Sequence, residues 1–141
     1  MSSPHSSSKL ARLLWELPLL LLIGGVLYCA LEILFRGHTH ISMALCGAIC
    51  FLLIYRLNQE KPRLLLPIRA LLAAALITGV EFLAGCILNL WLGLGVWDYS
   101  DLPYQILGQI CLPFFILWFL LGIPACLLCT AIRRYVFYED E

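Results

Sequence analysis

Four long apolar runs separated by short polar connections organise this chain. The first covers Leu13 to Phe35, the second about Ile41 to Leu57, the third Leu66 to about Leu92, and the fourth Ile110 to Ile132. Each approaches or exceeds the ~20 apolar residues that carry an α-helix across a hydrocarbon layer of ~30 Å. The pattern predicts an all-α integral membrane protein with four transmembrane helices at about 13–35, 41–57, 66–92 and 110–132, within one domain spanning 13–135. Residues 1–12, with their serine-rich start, read as a disordered tail, and 136–141 as a second, acidic tail. The first run follows Lys9 and Arg12 as a secretion signal would. It is too long for the apolar core of such a signal and has no small-x-small cleavage site, so an uncleaved anchor helix is expected.

Polar positions inside these runs carry the information. In the third run Thr78, Glu81, Gly85 and Asn89 recur at intervals of three and four, which places them on one helix face. Glu81 precedes Trp91 by about ten residues, roughly 15 Å at 1.5 Å per residue, so it is expected near mid-membrane. A charged group at that depth faces protein or water. Two readings stay open: a neutral carboxylic acid bonded to a neighbouring helix, or a functional acid. Asn89 reads either as interhelical glue or as a ligand contact. In the first run Glu32 and Arg36 stand four apart in the favourable order for an ion pair. In the second, Ser42, Cys46 and Cys50 with Ala44, Gly47 and Ala48 give a small-residue surface suited to close helix packing.

The connection Gly93–Gln109 is too polar and turn-rich for a span. Trp97, Asp98 and Tyr99 with Tyr104 form either an interfacial aromatic belt or the tip of a re-entrant segment. The latter is permitted only where protein or water satisfies the backbone, and would carry Asp98 over the Glu81–Asn89 stripe. Gln109 closes this polar group.

Composition agrees with the periodicity. Hydrophobic residues make up 62% of the chain and the mean hydropathy is +0.94, above the ~45–50% of soluble domains. Net charge is zero, which argues against nucleic acid as a partner. Of the nine basic residues, Arg36 alone flanks one side. Lys9, Arg12, Arg56, Lys61, Arg63, Arg69, Arg133 and Arg134 flank the other, which the positive-inside rule makes cytoplasmic. Both termini are then expected in the cytoplasm (N-in, C-in) at the plasma membrane, with Arg36–His40 and the 93–109 loop outside.

Little points to catalysis. The seven cysteines lie within apolar runs and act as small hydrophobes. Cys126-x-x-Cys129 has no second ligand pair, and His38-x-His40 is a weak metal signature. Neither a metal nor another cofactor is expected. No phosphate-loop, Gly-x-Ser-x-Gly or His-Glu-x-x-His pattern occurs. An enzyme is the less favoured class, retained only as an intramembrane enzyme acting on a lipid-linked substrate.

The stretches Arg36-Gly37-His38-Thr39-His40-Ile41-Ser42-Met43, Glu81-Phe82-Leu83-Ala84-Gly85-Cys86-Ile87-Leu88-Asn89, Trp97-Asp98-Tyr99-Ser100 and Leu107-Gly108-Gln109-Ile110-Cys111-Leu112-Pro113 together resemble a family of small bacterial membrane proteins labelled ABC-transporter type IV, or CmpB-like permeases. The resemblance runs from about Leu20 to Tyr135. It departs from the family pattern at His38 and Ile41, and it favours His40 over His38. It implies a multi-pass cell-membrane protein acting with a cytoplasmic ATPase, and carries over no substrate residues. Four spans are few for a permease, so a second copy or another membrane subunit is an expected partner, beside the bilayer itself. The expected function is a permease-like transport component with an outward-opening polar cavity. Glu81, Asn89, Asp98, Trp97, Tyr99, Glu32, Arg36, His40 and Gln109 are its candidate gating or substrate residues. A non-transporting accessory or assembly subunit is the alternative.

Overall fold

A computed structural model describes residues 4–137, with backbone only for 4–9. Met1–Ser3 and 138–141, which include the acidic end of the expected C-terminal tail, lie outside the described residues. Four helices account for the fold: α1 (Pro4–Arg36), α2 (Ile41–Glu60), α3 (Leu66–Gly85) and α4 (Leu112–Ala131). Helix α3 continues as a π-helical turn over Cys86–Trp91, and α4 as another over Ile132–Val136. All four are long and apolar enough to cross a membrane. The chain divides into two compact units, Met1–Leu52 and Leu53–Glu141.

Element ends differ from the sequence reading in three places. Helix α1 starts at Pro4, ahead of the expected residue 13, and Pro18 lies inside it. Helix α4 starts at Leu112, not Ile110. Ile110 is held by a bridge to Ile106, and Cys111 is extended at φ −154°, ψ 160°. Pro113 then falls in the first turn, where its missing N–H breaks no helical bond. At its other end α4 runs past Ile132, so Arg133 and Arg134 lie within its final π-helical turn rather than beyond it.

In the first unit α1 packs on the start of α2 through backbone contact. A Cβ added to Gly24 would lie 2.9 Å from the Gly47 carbonyl oxygen, and one on Gly25 would lie 3.2 Å from that of Ala44. Small residues allow this approach, and in lipid such packing replaces the hydrophobic effect as the force between helices. Arg36 pairs with Glu32 at 3.3 Å. His40 sits at the N-cap of α2, where the Ser42 backbone N–H donates to its Nδ1 at 3.2 Å.

In the second unit α3 and α4 run antiparallel. Ala70, Ala73, Ala74 and Ile77 of α3 are buried, as are Trp118, Gly122, Cys126 and Cys129 of α4. A Cβ on Gly122 would lie 3.0 Å from the Ala70 carbonyl oxygen, which fixes the register. Ten residues above Gly122, α4 begins. At ~15 Å from that contact, its first turn is level with about Val80 and Glu81. Helix α3 with its π-helical turn runs on to Trp91, so its last ten residues or so have no part of α4 beside them. The loop from Val96 to Cys111 packs there instead.

The two classes of glycine predict different outcomes. Gly47→Val drives a branched side chain into Tyr28 and the Gly24 carbonyl, and is expected to cost about 1–3 kcal/mol, as overpacking does. Gly79 has nothing within 4 Å of its added Cβ. Gly79→Ala should be neutral, or stabilising by up to ~1 kcal/mol through helix propensity. Unfolding in mixed detergent micelles measures both.

Candidate functional site

Glu81, Gly85 and Asn89 of the expected stripe form the surface on which the loop docks. Glu81 is only 6% exposed, and both its oxygens are held. The Tyr99 hydroxyl donates to Oε1 at 2.7 Å and the Trp118 indole N–H to Oε2 at 3.2 Å. One donor comes from the loop and the other from α4, so the carboxyl group ties three segments together. Tyr99 is oriented by stacking on Phe114, with ring centroids 4.6 Å apart and planes 10° from parallel. Phe114 lies in turn 6.3 Å from the Trp118 ring. A carboxyl that meets both donors in a water-poor place needs no further charge partner to be tolerated.

About two turns above, a second group fixes the loop. Asn89 donates from Nδ2 to Gln109 Oε1 at 2.8 Å, and its Oδ1 accepts the Val96 backbone N–H at 2.6 Å. Gln109 donates from Nε2 to the Leu107 carbonyl at 2.9 Å. Its own carbonyl accepts the Trp97 indole N–H at 3.0 Å. Trp97 and Gln109 are both buried. Gly85 makes the fit possible: a Cβ there would lie 2.5 Å from Gln109 Oε1 and 3.0 Å from the Trp97 ring.

The loop conformation depends on a second glycine. Gly108 has φ +72°, and an added Cβ would also lie 2.8 Å from Asp98 Oδ1 and 2.9 Å from Ser100 Oγ. Its carbonyl accepts the Tyr99 N–H at 2.7 Å and its N–H donates to Gln105 Oε1 at 2.6 Å. Tyr104 and Leu107 both have φ +53°, a conformation costly for side chains with a Cβ. The hydrogen bonds around them offset that cost.

Asp98 departs from the arrangement expected of it. It is exposed, and its Oδ1 accepts from the Ser100 backbone N–H at 2.9 Å and from the Ser100 hydroxyl. These bonds hold its carboxyl below the usual carboxylate range, the hydroxyl contributing most. The residue that meets Glu81 is its neighbour, Tyr99. Six of the candidate residues therefore fall in this unit, five of them in the two bonded groups and Asp98 at the edge. Glu32, Arg36 and His40 belong to the first unit, where the first two form an ion pair and the third caps α2. Among the described residues no group of three or more His, Cys, Asp or Glu is placed to hold a metal.

Trp118 escaped the sequence reading. The signal was present: a tryptophan near the middle of an apolar run, away from the interfaces, has an indole N–H that needs an acceptor. Glu81 is that acceptor.

Residues 41–138 match the model of a family described as putative ABC-transporter type IV. That range holds α2, α3, the loop and α4, and so the whole Glu81–Tyr99–Trp118 arrangement. Arg36–His40 and α1 precede it. No curated protein and no solved structure matches the chain.

Two outcomes test this geometry. Gly85→Ala should destabilise the second unit by about 1–3 kcal/mol and expose Trp97, read as a red shift of its fluorescence. Ser100→Ala should raise the Asp98 pKa toward the usual carboxylate range, followed by carboxyl carbon chemical shifts against pH. A depressed folded pKa stabilises above the unfolded value and is lost as pH falls through the folded value. The wild-type loop should therefore loosen only in the acid range, below the ordinary aspartate pKa of ~3.9.

Proposed function

The chain belongs to the family described as putative ABC-transporter type IV, and from that premise we propose that it is a permease-like component of a membrane transport system in which the 93–109 loop is the gate. The observation that carries this reading is the buried Glu81 carboxyl bridging the loop and α4 through Tyr99 and Trp118. Intramembrane ionisable groups mark pathways more often than they mark plain structure.

In this reading the loop is re-entrant. Glu81 lies about ten residues, ~15 Å, below the end of its span. A tyrosine side chain is shorter than that, so the Tyr99 backbone descends into the bundle to reach it. The loop would take the place of the outer part of α4, with backbone groups such as those of Val96, Tyr99, Ile106 and Gly108 bonded within the protein, as membrane depth favours. Opening would exchange the Tyr99 bond for water or substrate at Glu81. Asn89 and Gln109 would act as the hinge-side anchor, and Asp98 as an exposed anion at the mouth. The basic flanks support a reading with both termini on the cytoplasmic side of the cell membrane, where an ATPase partner would act.

One observation favours a second reading. The amides of Asn89 and Gln109 and both oxygens of Glu81 bond within this chain. A site satisfied in this way also suits a rigid accessory subunit that transports nothing itself.

Small-molecule profiling of a deletion strain separates the two. The strain is complemented with wild type, Glu81→Gln or Gly79→Ala. As a gate acid, Glu81 predicts that the deletion and Glu81→Gln share a deficit or excess of the same solute, restored by wild type and Gly79→Ala. Profiles restored by Glu81→Gln at wild-type protein level would end the gating reading.

A further inference from the structure

The last part of the loop has a surface chemistry of its own. From Leu102 to Leu112 the chain carries no charged residue, whereas Asp98 and Asp101 stand just before it. Its two glutamines engage their side-chain oxygens within the chain: Gln105 Oε1 accepts the Gly108 N–H at 2.6 Å, and Gln109 Oε1 accepts from Asn89 at 2.8 Å. The Ile106 N–H donates to the Ile110 carbonyl at 2.9 Å and the Gln109 N–H to the Ile106 carbonyl at 3.0 Å, which closes a tight turn. What this turn presents outward is largely carbon. Tyr104 is 82% exposed, Leu107 63% and Ile106 54%.

Two of these side chains stand where the backbone disfavours any side chain. Tyr104 and Leu107 both have φ +53°, a region in which glycine avoids the clash that a Cβ meets. A large apolar group kept at such a position, yet exposed, points to a contact outside its own chain. The level of the turn along α3 selects that contact. A Cβ on Gly85 would lie 3.0 Å from Gln109 Cβ. Gly85 precedes Trp91, the end of that candidate span, by about six residues, roughly 9 Å at 1.5 Å per residue. Ile106 and Leu107 are tied to the same level, because the backbone N–H and Nε2 of Gln109 donate to their carbonyls. A protein interface surrounds its apolar centre with a polar rim, whereas this turn is uncharged throughout. Aliphatic side chains below a span end suit acyl chains, and a tyrosine beside them suits the boundary with the headgroups.

We propose that the Leu102–Leu112 turn is a lipid-contacting element, with Ile106 and Leu107 among the acyl chains of the leaflet on the loop side and Tyr104 at headgroup level. This rests on the re-entrant placement of the loop in the reading above. The loop then has Glu81, Gly85 and Asn89 on one side and lipid on the other.

The test is photo-crosslinking of the full chain in phosphatidylcholine vesicles. The photoreactive residue p-benzoylphenylalanine is placed singly at Leu107, at Tyr104, at Asp101 or at Ile87, an exposed residue of the third span. At Tyr104 it exchanges one aromatic ring for another, which covers the case in which the Leu107 variant does not fold. On illumination the Leu107, Tyr104 and Ile87 proteins should gain the mass of one phosphatidylcholine, with comparable yields, and the Asp101 protein should not. Crosslinks from Leu107 and Tyr104 to a second copy of the chain would overturn the lipid contact and leave the re-entrant gate standing. A lipid adduct at Ile87 with none at Leu107 or Tyr104 would put the turn in water and overturn the re-entrant placement as well. Equal lipid adducts at Asp101 and Leu107 would also overturn the proposal, since the uncharged turn would then be no different from the acidic part of the loop.

Discussion

A carboxyl group in the apolar middle of a helix must find donors within the protein, because hydrocarbon supplies none. Most of the second unit follows from how Glu81 meets this constraint. One donor, Trp118, fixes the rotational setting of α4. The other, Tyr99, comes from the loop that docks on α3. Stacking of Tyr99 on Phe114 and the Asn89–Gln109–Trp97 bonds then hold that loop along its length. A hydrogen bond of this kind contributes about 0.5–1.5 kcal/mol net, and leaving the buried group unmet costs about 1–3 kcal/mol. The arrangement is held more by the penalty of breaking it than by the strength of any one bond.

The inequality between α3 and α4 makes room for this. Close contact at Gly122 and Ala70 sets the register, and the late start of α4 at Leu112 leaves the upper part of α3 uncovered. Residues 96–111 occupy that place with turns rather than helix. The strained backbone at Tyr104 and Leu107 and the positive φ of Gly108 belong to this substitution. Several of the loop's backbone amides, those of Val96, Tyr99, Leu102, Ile106, Gly108 and Gln109, donate to acceptors within the chain. A loop held this way has one defined docked arrangement, since the bonds that hold it are few and largely buried.

The sequence made the helices and the docking stripe legible. Twenty-residue apolar runs leave few alternatives, and the three–four spacing of Thr78, Glu81, Gly85 and Asn89 marks a face. It did not reveal what that face meets. Tyr99 and Asp98 are adjacent, and spacing alone cannot decide which of the two turns inward. The decision rests on the bonds of Ser100 to Asp98 and on the left-handed turn at Gly108, which are tertiary. The start of α4 was misplaced by two residues because Ile110 is as apolar as the helix that follows it. Arg133, read only as a flanking charge, is buried and donates to the Asn58 carbonyl. That partner is far away in sequence and carries no local signature.

The central claim is that Glu81 and Tyr99 are energetically coupled across the loop. A double-mutant cycle with Glu81→Gln and Tyr99→Phe, read by unfolding in lipid bicelles, measures that coupling directly. The account predicts a coupling of at least about 1 kcal/mol, with each single change destabilising. Additive effects, agreeing within about 0.5 kcal/mol, would show that the loop is not held by the buried acid and would contradict the account.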